Sequence, residues 1–271
     1  MIVNYPRMRR RAAWPDDLDT ALEFASANPF SISAPLNWDG KLEYTNGSGW
    51  KTWDGSAIAS GEIENNHCIY LRGTGNSKIT GANSSNAKWS IVGTNIACNG
   101  DVDLLLDYST VKGGNRPSMA NYCYSYMFRG CTSLTTAPSL PATTLADYCY
   151  SYMFRGCTSL TTAPSLPATT LKPNCYYSMF RGCTSLTTAP SLPATTLANY
   201  CYSSMFQGCR KIKLSTTASG TYTKAYRIPK SGTGTTVSNA LSNMFGQTGG
   251  TFKGTPTINT TYYLDESNTI V

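Results

Sequence analysis

MFRGCTSLTTAPSLPATTL occupies residues 127–145, returns unchanged at 153–171 and again at 179–197, and decays in a fourth copy that opens at Met205. The period is 26 residues, and each copy follows a Cys-Tyr pair: Cys123-Tyr124, Cys149-Tyr150, Cys175-Tyr176 and Cys201-Tyr202. A fixed period of this size marks an array of units, each too small to bury its own apolar face and each covered by its neighbours. Within one copy Met153, Phe154, Cys157, Leu160, Ala163, Leu166 and Leu171 are separated by Ser, Thr, Gly and Pro. That spacing fits neither a long helix nor a strand of strict period two. Pro164 and Pro167 exclude helix from the second half, since each lacks an N–H and fixes φ. The expectation is one solenoid coil per copy: a short strand near 160–163, a proline-bearing return, and a compact helical side built on 148–154. Stacking would then align Phe128, Phe154, Phe180 and Phe206 in one ladder and Leu134, Leu160 and Leu186 in another.

The core formed by Phe154, Cys157 and Leu160, followed by Leu166 and Leu171, resembles the BspA-type leucine-rich repeat over about residues 116–215. Such repeats occur in bacterial surface adhesins and in phages of gut bacteria. The resemblance implies a leucine-rich-repeat solenoid used for attachment. This unit is longer than the usual one and carries an additional APSLPATTL segment.

Eight of the ten cysteines belong to the repeat, spaced eight apart within a unit. Either they stack as small buried thiols, or Cys149 pairs with Cys157, and its equivalents likewise, to staple each coil; the lack of a secretory leader favours thiols. No C-x-x-C occurs and His67 is the single histidine, so neither a metal nor a cofactor is expected. Charged residues make up 14% of the chain, a low share that fits an extracellular or virion protein better than a cytosolic enzyme. No apolar run is long enough to span a membrane.

The remaining chain divides into four segments. Residues 1–30 read as a basic arm (Arg7, Arg9, Arg10, Arg11) and a short helix, with Asp16 and Asp17 in its first turn and Leu18, Ala21, Leu22 and Ala25 as its apolar stripe. This arm is the expected assembly anchor. No apolar leader follows the arginines, so synthesis in the host cytoplasm and carriage in a virion are expected, with the bacterial cell surface as the alternative. Residues 31–115 read as a small β-sandwich-like domain: a hairpin across 40–53 around Asn46-Gly47, then strands near 68–72, 88–92 and 102–106. Its Trp38, Trp50, Trp53 and Trp89 suit core or rim positions better than a sugar-stacking platform, and Gly73-Thr74-Gly75 reads as a turn, not a dinucleotide fingerprint. Residues 116–209 form the repeat solenoid, capped at its first coil by the β domain. Residues 210–271 read as a β-rich C-terminal cap, with a short helix at 237–245 and strands within 251–263.

The expected binding surface combines the positions that vary between copies (Tyr122, Tyr148, Asn174 and Tyr200; Tyr126, Tyr152, Ser178 and Ser204) with the constant Tyr124, Tyr150, Tyr176 and Tyr202, beside a row of Arg129, Arg155 and Arg181. Tyr and Arg are enriched at interfaces. Equally, the tyrosines could seal the coil and the arginines keep it soluble. Basic residues outnumber acids five to one over 116–209 and seven to two over 210–271, which favours anionic partners but lacks the groove pattern of a nucleic-acid binder. The carboxylates (Asp39, Glu43, Asp54, Glu62, Glu64, Asp101, Asp103, Asp107, Asp147) show no catalytic spacing, so no enzyme is expected.

The overall expectation is a mostly β chain with short helical segments. Its function would be that of a phage virion protein of fibre, decoration or adhesin type, anchored to other virion proteins by its N-terminus and binding a bacterial surface glycan or protein through its repeats. The alternatives are a BspA-type cell-surface adhesin and a purely structural virion component. Homo-oligomerisation stays open, since no heptads are present.

Overall fold

The structure is a computed structural model that describes residues 14–35, 40–63, 65–80, 87–229, 237 and 239–271. It is mostly β, with several sheets and one short α-helix. The basic arm with Arg7, Arg9, Arg10 and Arg11, together with Trp38, lies outside the described residues.

In the N-terminal part β1 (Leu22–Ser26), β2 (Ser31–Ser33), β3 (Leu42–Thr45), β4 (Lys51–Trp53), β5 (Ile58–Ala59), β6 (Gly61–Ile63), β7 (Asn66–Gly73), β8 (Ser90–Val92) and β9 (Ile96–Asn99) precede α1 (Leu104–Lys112). A first sheet runs in the order β10-β9-β1-β7-β3-β4, with β6 also on β7; β10 (Leu134–Thr136) comes from the first repeat. A second sheet, β5-β2-β8, pairs Ile32 with Ile58 and Ile91. Trp53 and Trp89 are buried with ring centroids 5.4 Å apart, as core residues, while Trp50 lies half-buried with the Arg72 guanidinium 3.9 Å from its ring.

Two expected elements are replaced. The helix placed on residues 16–25 is a single 3₁₀ turn (Leu18–Thr20) followed by β1, which lies between β7 and β9. Leu22, Phe24 and Ser26 alternate inward while Glu23 and Ala25 are only partly buried. The same letters carry both a helical stripe and a period of two, and the pairing of Leu22 with Leu71 and Phe24 with Ile69 selects the second. The strand expected at 102–106 is instead the start of α1. Its first turns bond Leu105 N–H to Val102 O and Leu106 N–H to Asp103 O. Asp107 then leaves helical geometry (φ −156°) and its Oδ1 accepts the Thr110 N–H at 2.8 Å, capping the turn that follows. Those side-chain and backbone hydrogen bonds hold the Asp107 carboxyl down to about 2.

The repeats build a backbone ladder that is neither helix nor sheet. In the first copy the N–H groups of Cys123, Ser125, Met127, Arg129 and Cys131 each bond the carbonyl three residues back. The alternate N–H groups, of Tyr122, Tyr124, Tyr126, Phe128 and Gly130, donate to Asp147, Cys149, Ser151, Met153 and Arg155 of the next copy. Turn and inter-copy bonds thus account for every donor of the stretch, which is what burial demands. The same two sets recur from second copy to third and from third to fourth. The helical side expected here is therefore a tight turn ladder. The strand expected near 160–163 is short: β10 in the first copy, β11 (Thr188–Ala189) in the third, and a single parallel bridge, Thr162 to Thr188, in the second.

Side chains follow the ladder. Phe128, Phe154, Phe180 and Phe206 are buried and stack nearly parallel, with centroids 5.5, 5.7 and 5.8 Å apart. Phe24 of β1 extends the column at one end (6.2 Å) and Phe245 at the other (5.5 Å). Leu134, Leu160, Leu186 and Ile212 are likewise fully buried. The first copy is closed by the N-terminal part: Ile79 and Trp89 donate N–H bonds to Cys123 O and Met127 O, and β9 pairs in parallel with β10. Buried apolar side chains from Leu22 to Leu264 form one continuous core.

The fourth copy is followed by a fifth turn ladder displaced in sequence. Tyr202, Ser204, Phe206 and Gly208 donate to Ala240, Ser242, Met244 and Gly246, so residues 239–247 take the place of the next copy and the expected helix at 237–245 does not form. Around it β12 (Lys213–Ser215), β13 (Tyr222–Arg227), β14 (Gly249–Gly250) and β15 (Thr261–Asp265) form a sheet in the order β13-β15-β12-β14. The chain end, β16 (Thr269–Ile270), runs parallel to β11 and enters between the third and fourth copies. Buried Asn268 sits at that entry. Its Oδ1 accepts the Lys213 N–H (2.9 Å), and its amide donates to Thr187 O (3.0 Å) and Lys211 O (2.8 Å).

All ten cysteines are buried and carry free thiols, so the Cys149–Cys157 staple is not formed. The thiols of Cys157, Cys183 and Cys209 donate instead to Phe128 O, Phe154 O and Phe180 O of the preceding copy, at 3.0, 3.1 and 3.0 Å. Burial pushes Cys149, Cys183 and Cys201 up to about 12, far from thiolate formation near neutrality. A thiol-reactive chromogenic disulfide at mildly alkaline pH should therefore label none of the ten in the native protein and all ten in denaturant. Rapid native labelling of the repeat cysteines would contradict this packing.

Candidate functional site

The repeat surface is decided by a four-residue rhythm. Tyr122, Tyr126 and Gly130 all have positive φ (65°, 64° and 74°), as do Tyr148, Tyr152 and Gly156, Asn174, Ser178 and Gly182, Tyr200, Ser204 and Gly208, and finally Asn239, Asn243 and Gln247. Each left-handed residue is followed by two inward-facing ones, Cys123-Tyr124 and then Met127-Phe128. Tyr124 therefore shares the place of Phe128 in its tetrad. Tyr124, Tyr150, Tyr176 and Tyr202 are all buried, stacked at 5.4, 5.9 and 5.7 Å. These four are core residues and not the binding surface expected of them. The Tyr124 hydroxyl donates to the buried Asp103 carboxylate at 2.8 Å, which ties the first copy to the start of α1. Burial raises all four phenols above their ordinary value.

What remains partly exposed is a different set of tyrosines. Tyr122 stacks on Tyr148 and Tyr126 on Tyr152, both pairs at 4.6 Å and within 20° of parallel. In the third copy the order Ser-Tyr is reversed, so Tyr177 takes up the aromatic place while Ser178 is buried. Tyr177 meets Tyr152 edge-on at 5.1 Å and Tyr200 at 6.4 Å. The result is an unbroken aromatic ribbon across four copies, ending where Asn239 donates to the Tyr200 hydroxyl at 3.0 Å. Of the residues expected at the surface, Tyr122, Tyr126, Tyr148, Tyr152 and Tyr200 belong to it. Only Tyr177 was missed, and its signal was the exchange of Ser-Tyr for Tyr-Ser at 177–178.

Two of the arginines border this ribbon. Arg129 and Arg155 place their guanidiniums 5.5 and 5.4 Å from the ring centres of Tyr126 and Tyr152. Arg129, Arg155 and Arg181 are partly exposed, and among the described residues none of the three lies within ion-pair distance of a carboxylate. Ion pairs lie elsewhere: Arg72 with Asp17 (2.5 Å) and Glu43 (3.0 Å), Arg116 with Asp101 and with Asp103 (3.5 Å), and Lys213 with Asp265 (3.8 Å).

No family model, no curated protein and no solved structure matches this chain. Among the described residues no cluster of three His, Cys, Asp or Glu is placed to hold a metal ion, and no helix is long and apolar enough to cross a membrane.

The glycines at the third left-handed position offer a direct check of the rhythm. A Cβ on Gly156 would meet only Gly130 Cα, at 3.7 Å, so space is available and the left-handed backbone is what a side chain would strain. Gly156→Ala should cost about 1–2 kcal/mol, read as a shift in urea midpoint at unchanged slope. Gln247, at φ 58°, occupies the same place after the fourth copy. A stabilising Gly156→Ala would contradict the left-handed assignment.

Proposed function

We propose that the chain is a non-enzymatic phage virion protein of fibre, decoration or adhesin type, in which residues 116–209 act as a leucine-rich-repeat solenoid that attaches to the bacterial surface. The segment 31–115 closes one end, the segment 210–271 closes the other, and the basic N-terminal segment with Arg7, Arg9, Arg10 and Arg11 docks onto other virion proteins. The observation that carries the attachment reading is the ribbon: partly exposed tyrosines held in register by the ladder, with Arg129 and Arg155 beside their rings and no carboxylate partner for either among the described residues. Rigid aromatics and Arg are what binding interfaces concentrate, and a preformed surface avoids the ordering cost of a flexible one.

The test is retention of fluorescently labelled protein on intact cells of a bacterial panel, with labelled antibody against the chain applied to phage particles in parallel. Saturable retention on a subset of strains and decoration of particles are expected. Retention on no strain would remove the attachment reading, and undecorated particles would remove the virion reading.

A further inference from the structure

Resting on that attachment reading, we infer that the ribbon's ligand is a linear acidic polysaccharide carrying regularly spaced carboxylates, laid along the array so that successive uronate groups meet Arg129, Arg155 and Arg181.

Three observations point there. The first is charge: Asp147 is the sole carboxylate among residues 116–209, against five cations. The arginines stand one per copy, and Gln207 ends the row. A line of like charges repels itself, and a matching line of anions relieves that repulsion. The second is ring orientation. Tyr122 and Tyr148, like Tyr126 and Tyr152, turn their faces to each other at 4.6 Å, and guanidiniums lie beside the Tyr126 and Tyr152 rings. Aromatic faces are electron-rich and edges electron-poor, so a ribbon with its faces occupied presents positive edges and phenol hydroxyls, the surface complementary to anions and sugar hydroxyls. The third separates glycan from nucleic acid. Single-stranded nucleic acid gains much of its affinity by stacking bases on free aromatic faces, and the faces that Tyr122 and Tyr148, and Tyr126 and Tyr152, turn to each other are closed to bases. A planar carboxylate, by contrast, matches the guanidinium fork through two parallel N–H···O bonds.

Full-length protein would be titrated calorimetrically with oligogalacturonate, and with neutral dextran, inorganic polyphosphate and single-stranded DNA as comparisons. Binding to oligogalacturonate that weakens as salt rises is expected, with none to dextran. The triple variant R129Q/R155Q/R181Q, which installs at each position the residue found naturally at Gln207, should keep its melting temperature and bind at least about tenfold more weakly. No oligogalacturonate binding, undiminished binding by the triple variant, or tighter binding of polyphosphate or DNA would each overturn the inference. Retention on cells separates the two levels. If wild type and triple variant are retained equally, the acidic-glycan inference fails while attachment stands. If neither is retained but oligogalacturonate binds, attachment fails and the ribbon's chemistry stands.

Discussion

Phe154→Ala is expected to lose about 3–5 kcal/mol of folding stability, a large part of the roughly 5–15 kcal/mol that holds a typical domain together. Phe154 is fully buried and sandwiched between Phe128 and Phe180 at 5.5 and 5.7 Å, nearly parallel to both. Truncation removes the apolar area of one ring and leaves a cavity walled by two others. Neither neighbour can collapse into it, because their backbones are fixed by the inter-copy bonds of Phe128 to Met153 and of Phe180 to Met205. The loss should appear as a lowered urea midpoint. Tyr152→Ala is the control at the same ladder: half-exposed and stacked on the surface, it should cost only about 1 kcal/mol. Equal costs for the two would mean that the Phe column is not the core.

Asn268→Ala has the second largest expected effect, about 3–5 kcal/mol, because it strands several buried backbone groups, each worth roughly 1–3 kcal/mol when left unpaired. The single side chain joins Thr187 O of the third copy to Lys213 N–H and Lys211 O at the start of the C-terminal segment. It also sets the entry of β16, whose Val271 N–H donates to Ala189 O and whose carbonyl accepts from Ser191 at 2.6 Å. Hydrogen exchange should show faster exchange at Lys213, Thr269 and Val271 in the variant, with the first two copies unchanged. Asn268→Asp should be worse still, since a carboxylate oxygen would replace the amide that donates to two carbonyls. Wild-type stability in both variants would show that the chain end does not brace the array.

Much of this architecture was legible because the sequence repeats itself. Identical strings at 26-residue spacing require identical environments, and the Phe and Leu ladders and the buried thiols follow from that alone. The turn ladder was not legible. Cys123, Met127 and Cys131, or Tyr124 and Phe128, recur at intervals of four, which an α-helix also produces; only the left-handed positions at Tyr122, Tyr126 and Gly130 separate the two. That confusion misplaced Tyr124 and its equivalents on the surface, although the shared tetrad position with Phe128 buries them. Elsewhere long-range pairing overrode local pattern. Residues 22–26 could serve as helix stripe or alternating strand, and β7, more than forty residues away, decides. The fifth turn ladder escaped periodicity because residues 210–238 intervene, leaving only Met244-Phe245 as an echo. Nothing local in Glu266-Ser267-Asn268 announces that this asparagine joins the third copy to the start of the C-terminal segment.

If the copies stack as interchangeable units, thermal unfolding should separate two deletion variants. Removing residues 153–178 takes out one whole period and rejoins Tyr152 to Met179, restoring the Tyr-Met junction found at 126–127 and 152–153. Removing residues 153–165 takes out half a period and joins Tyr152 to Leu166. The account predicts that the first variant melts cooperatively, at a somewhat lower temperature than wild type, while the second shows no cooperative transition. Failure of the full-period deletion to fold, or equal tolerance of both deletions, would contradict it.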